Sequence, residues 1–333
     1  MSDYKTLPRI DRHGVIDMHV HIGPELLRRR YTSMTLAEEA RREGIGVVMK
    51  NHFQPTTAMA ILARKLADKV AIVGSVTLNY GCGGIDDHGV RSALSGWKSD
   101  VTQTDPDRDR FVVWMPTLCA EAHLSVMDRR DIPLHWGVAA KYTREFEEGT
   151  GLTLHDPDGK LTPGLLRALK MIAEHDLVLA SGHLSAEETI DLCELARAAG
   201  VARIVLTHPL WISTRLGVET LARLWRDYGA YTELCFVNLS MNGLDDLGIH
   251  QYVEVIRAVG SEGVILSSDL GQEFLMTVTE GLRIYFDLLE KEGIHPDEIA
   301  RMSILNPRRL LFEEIPVLLR TSEKRQDVVS ATE

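Results

Sequence analysis

Short apolar runs rich in Val and Ile alternate along the chain with longer stretches whose apolar residues recur at helical spacing. That is the pattern of repeated βα units around a parallel sheet. The first run, Gly14–His21, leads to a helix over Thr35–Glu43, with Thr35 as N-cap and Gly44 as its stop. GVVMKNH, AIVGSVTLN and FVVWMPT supply the next three strands, ending at His52, near Asn79 and at Thr117. Helices over Thr57–Asp68 and Asp87–Trp97 separate them. LVLASGH, RIVLTHP, AYTELCFVN and GVILSSD follow, ending at His183, His208, near Asn238 and at Asp269. A helix over Pro163–Glu174 precedes the first of these, and Ser185 opens another with Glu188 completing a capping box. Helices over Thr279–Lys291 and Pro296–Phe312 close the series.

Eight strands about thirty residues apart, with a helix in most intervals, predict a (β/α)8 TIM barrel rather than a doubly wound sheet. One interval is far longer. It holds an insertion over about 118–161, leaving strand four where a lid would sit, with HDPDG as a turn between short extended pieces. Residues 14–320 read as a single domain, after a polar lead-in over 1–13 and before a flexible polar tail over 321–333.

Strands buried on both faces should be apolar throughout. Here the chemically capable residues gather at the carboxyl ends, the face that carries the active site in barrels. They are His19 and His21 on strand one, Lys50 and His52 on two, His183 on five, His208 on six and Asp269 on eight. Five of the thirteen histidines fall at strand ends, which core packing does not explain. His19 and His21, two apart on one strand, point the same way and offer two imidazoles to one ion. Imidazole and carboxylate together suit Zn²⁺, with Mn²⁺ or Fe²⁺ as alternatives. Asp269 is placed to take a proton from a metal-activated water and pass it to a leaving group; its other reading is an N-cap.

With these pieces in place, the chain resembles the amidohydrolase superfamily of metal-dependent hydrolases. The likeness rests on the H-x-H of IDMHVH, the histidines of ASGH and LTHP, the aspartate of LSSD and the closing LNPRRLL, in that order. The K-x-H after strand two and the MPT after strand four are similar to an amidohydrolase-related subgroup of poorly characterised function. The resemblance implies that His19, His21 and Asp269 hold one metal, while His183 and His208 hold a second or contact substrate. It also implies a bridging lysine or glutamate from strand four, and FVVWMPT ends without either. Glu121 is a candidate replacement. Lys50 is either a carbamylated bridge, a point charge for an anionic substrate or an ion-pair partner of Asp269, and the metal count stays at one or two.

His52, Asn79, Thr117 and Glu121 are candidate substrate contacts. His123 and His135 read as lid surface, and Glu25, Arg28 and Arg30 as a solvated charged run. Cys119 and Cys235 read as small buried apolar residues. The inward or outward direction of Glu233 depends on a register the sequence leaves open.

Composition narrows the partners. Net charge is −11 and no long basic run occurs, so no nucleic-acid surface is expected. No apolar run approaches a membrane span, and four scattered cysteines suit a cytoplasmic protein. The expectation is a cytoplasmic hydrolase of a small molecule, most directly of a C–N bond in an amide or cyclic imide, able to form homo-oligomers. The runner-up is a mononuclear, non-oxidative decarboxylase, a branch the IDMHVHIGP opening also resembles. A Schiff-base enzyme built on Lys50 would leave the histidines without a task, and a non-catalytic metal-binding protein would not need so complete a ligand set.

Overall fold

The computed structural model describes residues 14–67, 69–98, 110–127, 151–240 and 247–315. The lead-in, the tail, His135 and the middle of the insertion lie outside the described residues. Eight parallel strands follow one another in chain order: β1 (Ile16–His21), β2 (Gly46–Lys50), β3 (Ile72–Val73 and Ser75–Thr77), β4 (Val112–Trp114), β5 (Val178–Ala180), β6 (Arg203–Leu206), β7 (Ala230–Cys235) and β8 (Val264–Ser267). Every strand residue is buried, as both-face coverage requires.

The ladder is continuous except at two seams. The first is Gly74, where β3 changes partner from β2 to β4. A Cβ at Gly74 would lie 2.4 Å from Thr57 Cα, so only glycine lets the following helix press so close. Across this seam side chains replace backbone bonds: Ser75 Oγ donates to Met49 O at 2.6 Å and Thr77 Oγ1 to Asn51 O at 3.0 Å. The second seam joins β8 to β1 through His21 N–Leu270 O (2.8 Å) and Asp269 N–His19 O (2.9 Å). The strands therefore run in a ring, the arrangement of a (β/α)8 barrel.

Local chemistry adjusts several predicted boundaries. The first helix, α1 (Ser33–Glu43), starts earlier than expected because Thr32 is its N-cap; Thr35 is the third helical position, and its hydroxyl accepts from Thr32 N. The helix α2 (Thr57–Arg64) ends short of Asp68, and α3 spans Asp87–Lys98. In the insertion α4 (Glu121–Val126) is helical, and Asp156 Oδ1 collects Asp158 N and Lys160 N to make the HDPDG turn. Helix α5 (Pro163–Glu174) and the Ser185–Glu188 capping box of α6 (Ala186–Ala198) stand where the sequence puts them. Beyond β7, Phe236–Ser240 is helical rather than extended. The closing helix is three pieces, Pro296–Ala300, a π-helical turn Arg301–Leu305, and Asn306–Phe312. Asn306 anchors the last piece by donating to Ser261 O and Val264 O, at the start of β8.

Candidate functional site

The carboxyl ends of the strands meet in one buried cluster. At its centre is Asp269, just past β8, with its backbone in the left-handed region (φ +53°). Its Oδ1 lies 2.8 Å from His21 Nε2 and 3.1 Å from His19 Nε2, and its Oδ2 lies 4.0 Å from His208 Nε2. His208 is also left-handed (φ +27°). Two non-glycine residues in that region, each at a strand end, mark backbone shaped for a site.

β1 delivers its pair of histidines through an irregularity. Its register against β2 slips between Asp17 and Val20, an inserted residue of the kind found at barrel rims. Asp17 steadies the slip, because its Oδ1 accepts from His19 N (3.1 Å) and Ser268 N (3.0 Å). Burial raises the Asp17 carboxyl to about 6.

Lys50, fully buried on β2, places its ammonium 2.9 Å from His19 Nε2 and 4.8 Å from the centre of the Trp114 ring. It pairs with the imidazole rather than with Asp269. Burial pulls its pKa down to about 8 against the pull of Asp269 and Glu233. On β7, Glu233 turns inward and its Oε2 lies 3.3 Å from His19 Nδ1, with Cys235 Sγ 3.9 Å from the same nitrogen.

A second group adjoins the first. His183 Nδ1 is 2.9 Å from His123 Nδ1, and the rings of His183 and His208 are 4.9 Å apart, with Trp211 against all three histidines. His123 is thus buried in the site, not on a lid surface. Gly182 makes the approach of His183 possible: it is left-handed (φ +62°), and a Cβ there would lie 2.4 Å from Met115 O and Pro116 O.

The candidate substrate contacts form a network on the other flank. His52 Nδ1 bonds Thr117 Oγ1 (2.9 Å), and Asn79 donates to the same oxygen (2.9 Å) while accepting from Thr117 N. Glu25 belongs here too: its buried carboxylate pairs with Arg29 and accepts from His52 N at 2.8 Å. Arg28, by contrast, is exposed as expected. Glu121 is exposed and its carboxylate accepts from Gly151 N, away from the cluster.

Burial, reinforced by neighbouring cationic groups, pushes His21, His52 and His183 well below the ordinary histidine range, and His208 to about 4 despite Asp269. They are neutral imidazoles at pH 7, the form that ligates metals. His21 Nδ1 and His208 Nδ1 are buried without a hydrogen-bond partner. Ligands held 2.0–2.2 Å from one ion are themselves roughly 3 Å apart, which matches the separations around Asp269 Oδ1. His19, Asp269 and Cys235 form one candidate metal-binding group, and His21, Glu25 and His52 another. The donors present therefore fit a divalent cation.

Residues 14–233 match a family of unknown function, DUF6282. The chain belongs to that family. No curated protein matches the sequence. Among solved structures, this DUF6282 member is similar to the phosphotriesterase homology protein from Escherichia coli, solved with phosphate in its active site. The two are 12% identical with a TM-score of 0.56, covering 91% of this chain and 100% of the other. An amidohydrolase from Pseudomonas aeruginosa is similar at 11% identity and TM-score 0.51, covering 90% and 96%. The likeness is one of fold, the (β/α)8 barrel that the sequence predicts. Among the described residues no helix is long and apolar enough to cross a membrane.

Sequence reasoning missed Asp17, Glu233 and His123 as members of the cluster. Glu233 had a legible signal, an acid in the middle of the otherwise apolar AYTELC. His123 had none, since its partner His183 is sixty residues away.

Proposed function

We propose that this DUF6282 protein is a metal-dependent hydrolase of a small molecule, acting on a C–N bond of an amide or cyclic imide. The observation that carries the reading is the convergence of His19 Nε2, His21 Nε2 and Asp269 Oδ1. Two imidazole nitrogens, at 3.1 and 2.8 Å, face the same buried carboxylate oxygen, and such acceptor pairs are repulsive unless protons or a cation lie between them. His19, His21 and Asp269 would hold the ion, which supplies Lewis acidity and a hydrolytic water at neutral pH. Asp269 takes the proton of the attacking water and returns it to the departing nitrogen. Lys50 contributes a cation beside the reacting group, and the His52–Thr117–Asn79 network positions the substrate. The low exposure of these side chains keeps bulk water from the reaction.

A second reading has one supporting observation. At the end of β4, Trp114 packs on His19 and Lys50 while Thr117 is bonded to His52 and Asn79, so no carboxylate or lysine of β4 faces the cluster. A single ion suits a non-oxidative decarboxylase as well as a hydrolase.

Metal content per chain, measured by inductively coupled plasma mass spectrometry on protein purified without chelator, is the first test. One or two equivalents of zinc, manganese or iron are expected. No metal, and no uptake of added Zn²⁺ or Mn²⁺, would overturn the reading. Assays of the loaded protein on amides, cyclic imides and lactones, against CO₂ release from unsaturated acids, then separate the two reactions.

A further inference from the structure

We propose that Glu233 is a positioning residue that holds His19 in the tautomer with its proton on Nδ1, leaving the Nε2 lone pair for the divalent ion. The inference rests on the metal reading above, and it concerns a residue outside the ligand set.

Glu233 is 1% exposed, an acid in a strand whose other residues are Ala, Tyr, Thr, Leu and Cys. A buried carboxylate needs a donor or a cation. One contact the barrel interior offers is His19 Nδ1, 3.3 Å from Oε2. A carboxylate can only accept from a ring nitrogen, so Nδ1 carries the hydrogen. The opposite nitrogen, Nε2, faces both an acceptor, Asp269 Oδ1 at 3.1 Å, and a donor. Lys50 Nζ, a donor with no acceptor capacity, lies 2.9 Å from Nε2. Glu233 is thus the neighbour that assigns the proton to Nδ1, and the Nε2 lone pair that Lys50 engages is the one an ion between Nε2 and Asp269 Oδ1 would take. Glu233 and His19 are 214 residues apart, so the pairing exists only because the ring brings β7 across from β1. A carboxylate behind a ligating imidazole fixes its orientation and raises its basicity.

The test uses full-length protein, selectively ¹⁵N-labelled at histidine, and the variants Glu233→Gln and Glu233→Leu. Long-range ¹H–¹⁵N spectra of the metal-free wild type are expected to show His19 with Nδ1 protonated; the Nε2-protonated form would overturn the proposal even if Glu233→Leu fails to fold. Zn²⁺ affinity, by competition with a chromophoric chelator, should fall about 10–100-fold in Glu233→Leu. Glu233→Gln, whose amide oxygen still accepts, should restore most of it. A folded Glu233→Leu with wild-type Zn²⁺ affinity and unchanged tautomer refutes the role of Glu233. Wild-type protein that binds no Zn²⁺ refutes the metal reading instead, and the tautomer spectrum still decides what Glu233 does.

Discussion

At the residue scale the site is a set of acceptors facing one another. Asp269 stands between His19, His21 and His208, so its removal is felt twice, as a lost ligand and as a lost proton carrier. Asp269→Asn keeps the shape and half the acceptor capacity. It is expected to lower turnover by at least about 100-fold, the usual contribution of a positioned acid–base group. Far-ultraviolet circular dichroism should be unchanged, and metal content measured in parallel will show whether binding fell with it. These residues were readable in the sequence because each lies at a strand end; Glu233 stood out as an acid but its direction was not readable, and Asp17 was missed, because both lie inside strands where direction depends on register. The irregularity between Asp17 and Val20 leaves no mark in IDMHVH. It comes from the fit of β1 against β2.

At the element scale, the strand-to-helix turns aim the side chains. Gly182 is the clearest case, since both its left-handed backbone and its contact with the Met115 and Pro116 carbonyls exclude a Cβ. Gly182→Ala is expected to destabilise the protein by about 1–2 kcal/mol from the backbone conformation alone, with more from the displaced carbonyls. A thermal melt should show the fall, and a loss of the His183–His123 contact should accompany it. The periodicities found the helices well where capping chemistry is local, as at Ser185 and Glu188. They placed the first helix three residues late at its cap and ran the seventh strand on through Phe236 to near Asn238, where the chain is already helical and a short apolar run fits either state.

At the scale of the whole molecule, two clusters of titratable groups, a half-buried ion pair and the buried histidines, tie distant parts together and set the response to acid. On the amino face of the barrel Arg203, fully buried, donates to both oxygens of Asp176 and to the carbonyls of Arg309, Leu310 and Glu313. Arg203→Met should cost on the order of 3 kcal/mol, because it strands those partners together. Asp176 is held below the usual carboxylate range: burial opposes its charge, but Arg203 and Arg110 outweigh it. Its stabilising effect is therefore complete above pH about 4 and is lost as pH falls further. His208 acts at higher pH. Its folded value of about 4 lies under the ordinary 6.5, so the unfolded chain takes up the proton first and stability declines from pH about 6.5 downward. Urea midpoints measured from pH 7.5 to 3 should fall in both windows. His208→Gln should make the upper fall shallower, with His21, His52 and His183 supplying the rest of it, and Asp176→Asn should do the same to the lower. From sequence alone followed the number and order of strands, the residues at their carboxyl ends and the chemistry they suit, because those depend on neighbours a few positions away. Which nitrogen meets which oxygen, that Lys50 bonds His19 and not Asp269, and that Glu233 and His123 join the site were settled only by ring closure. Folding brings residues from tens to more than two hundred positions apart to within 3–4 Å, and no local pattern encodes such a distance.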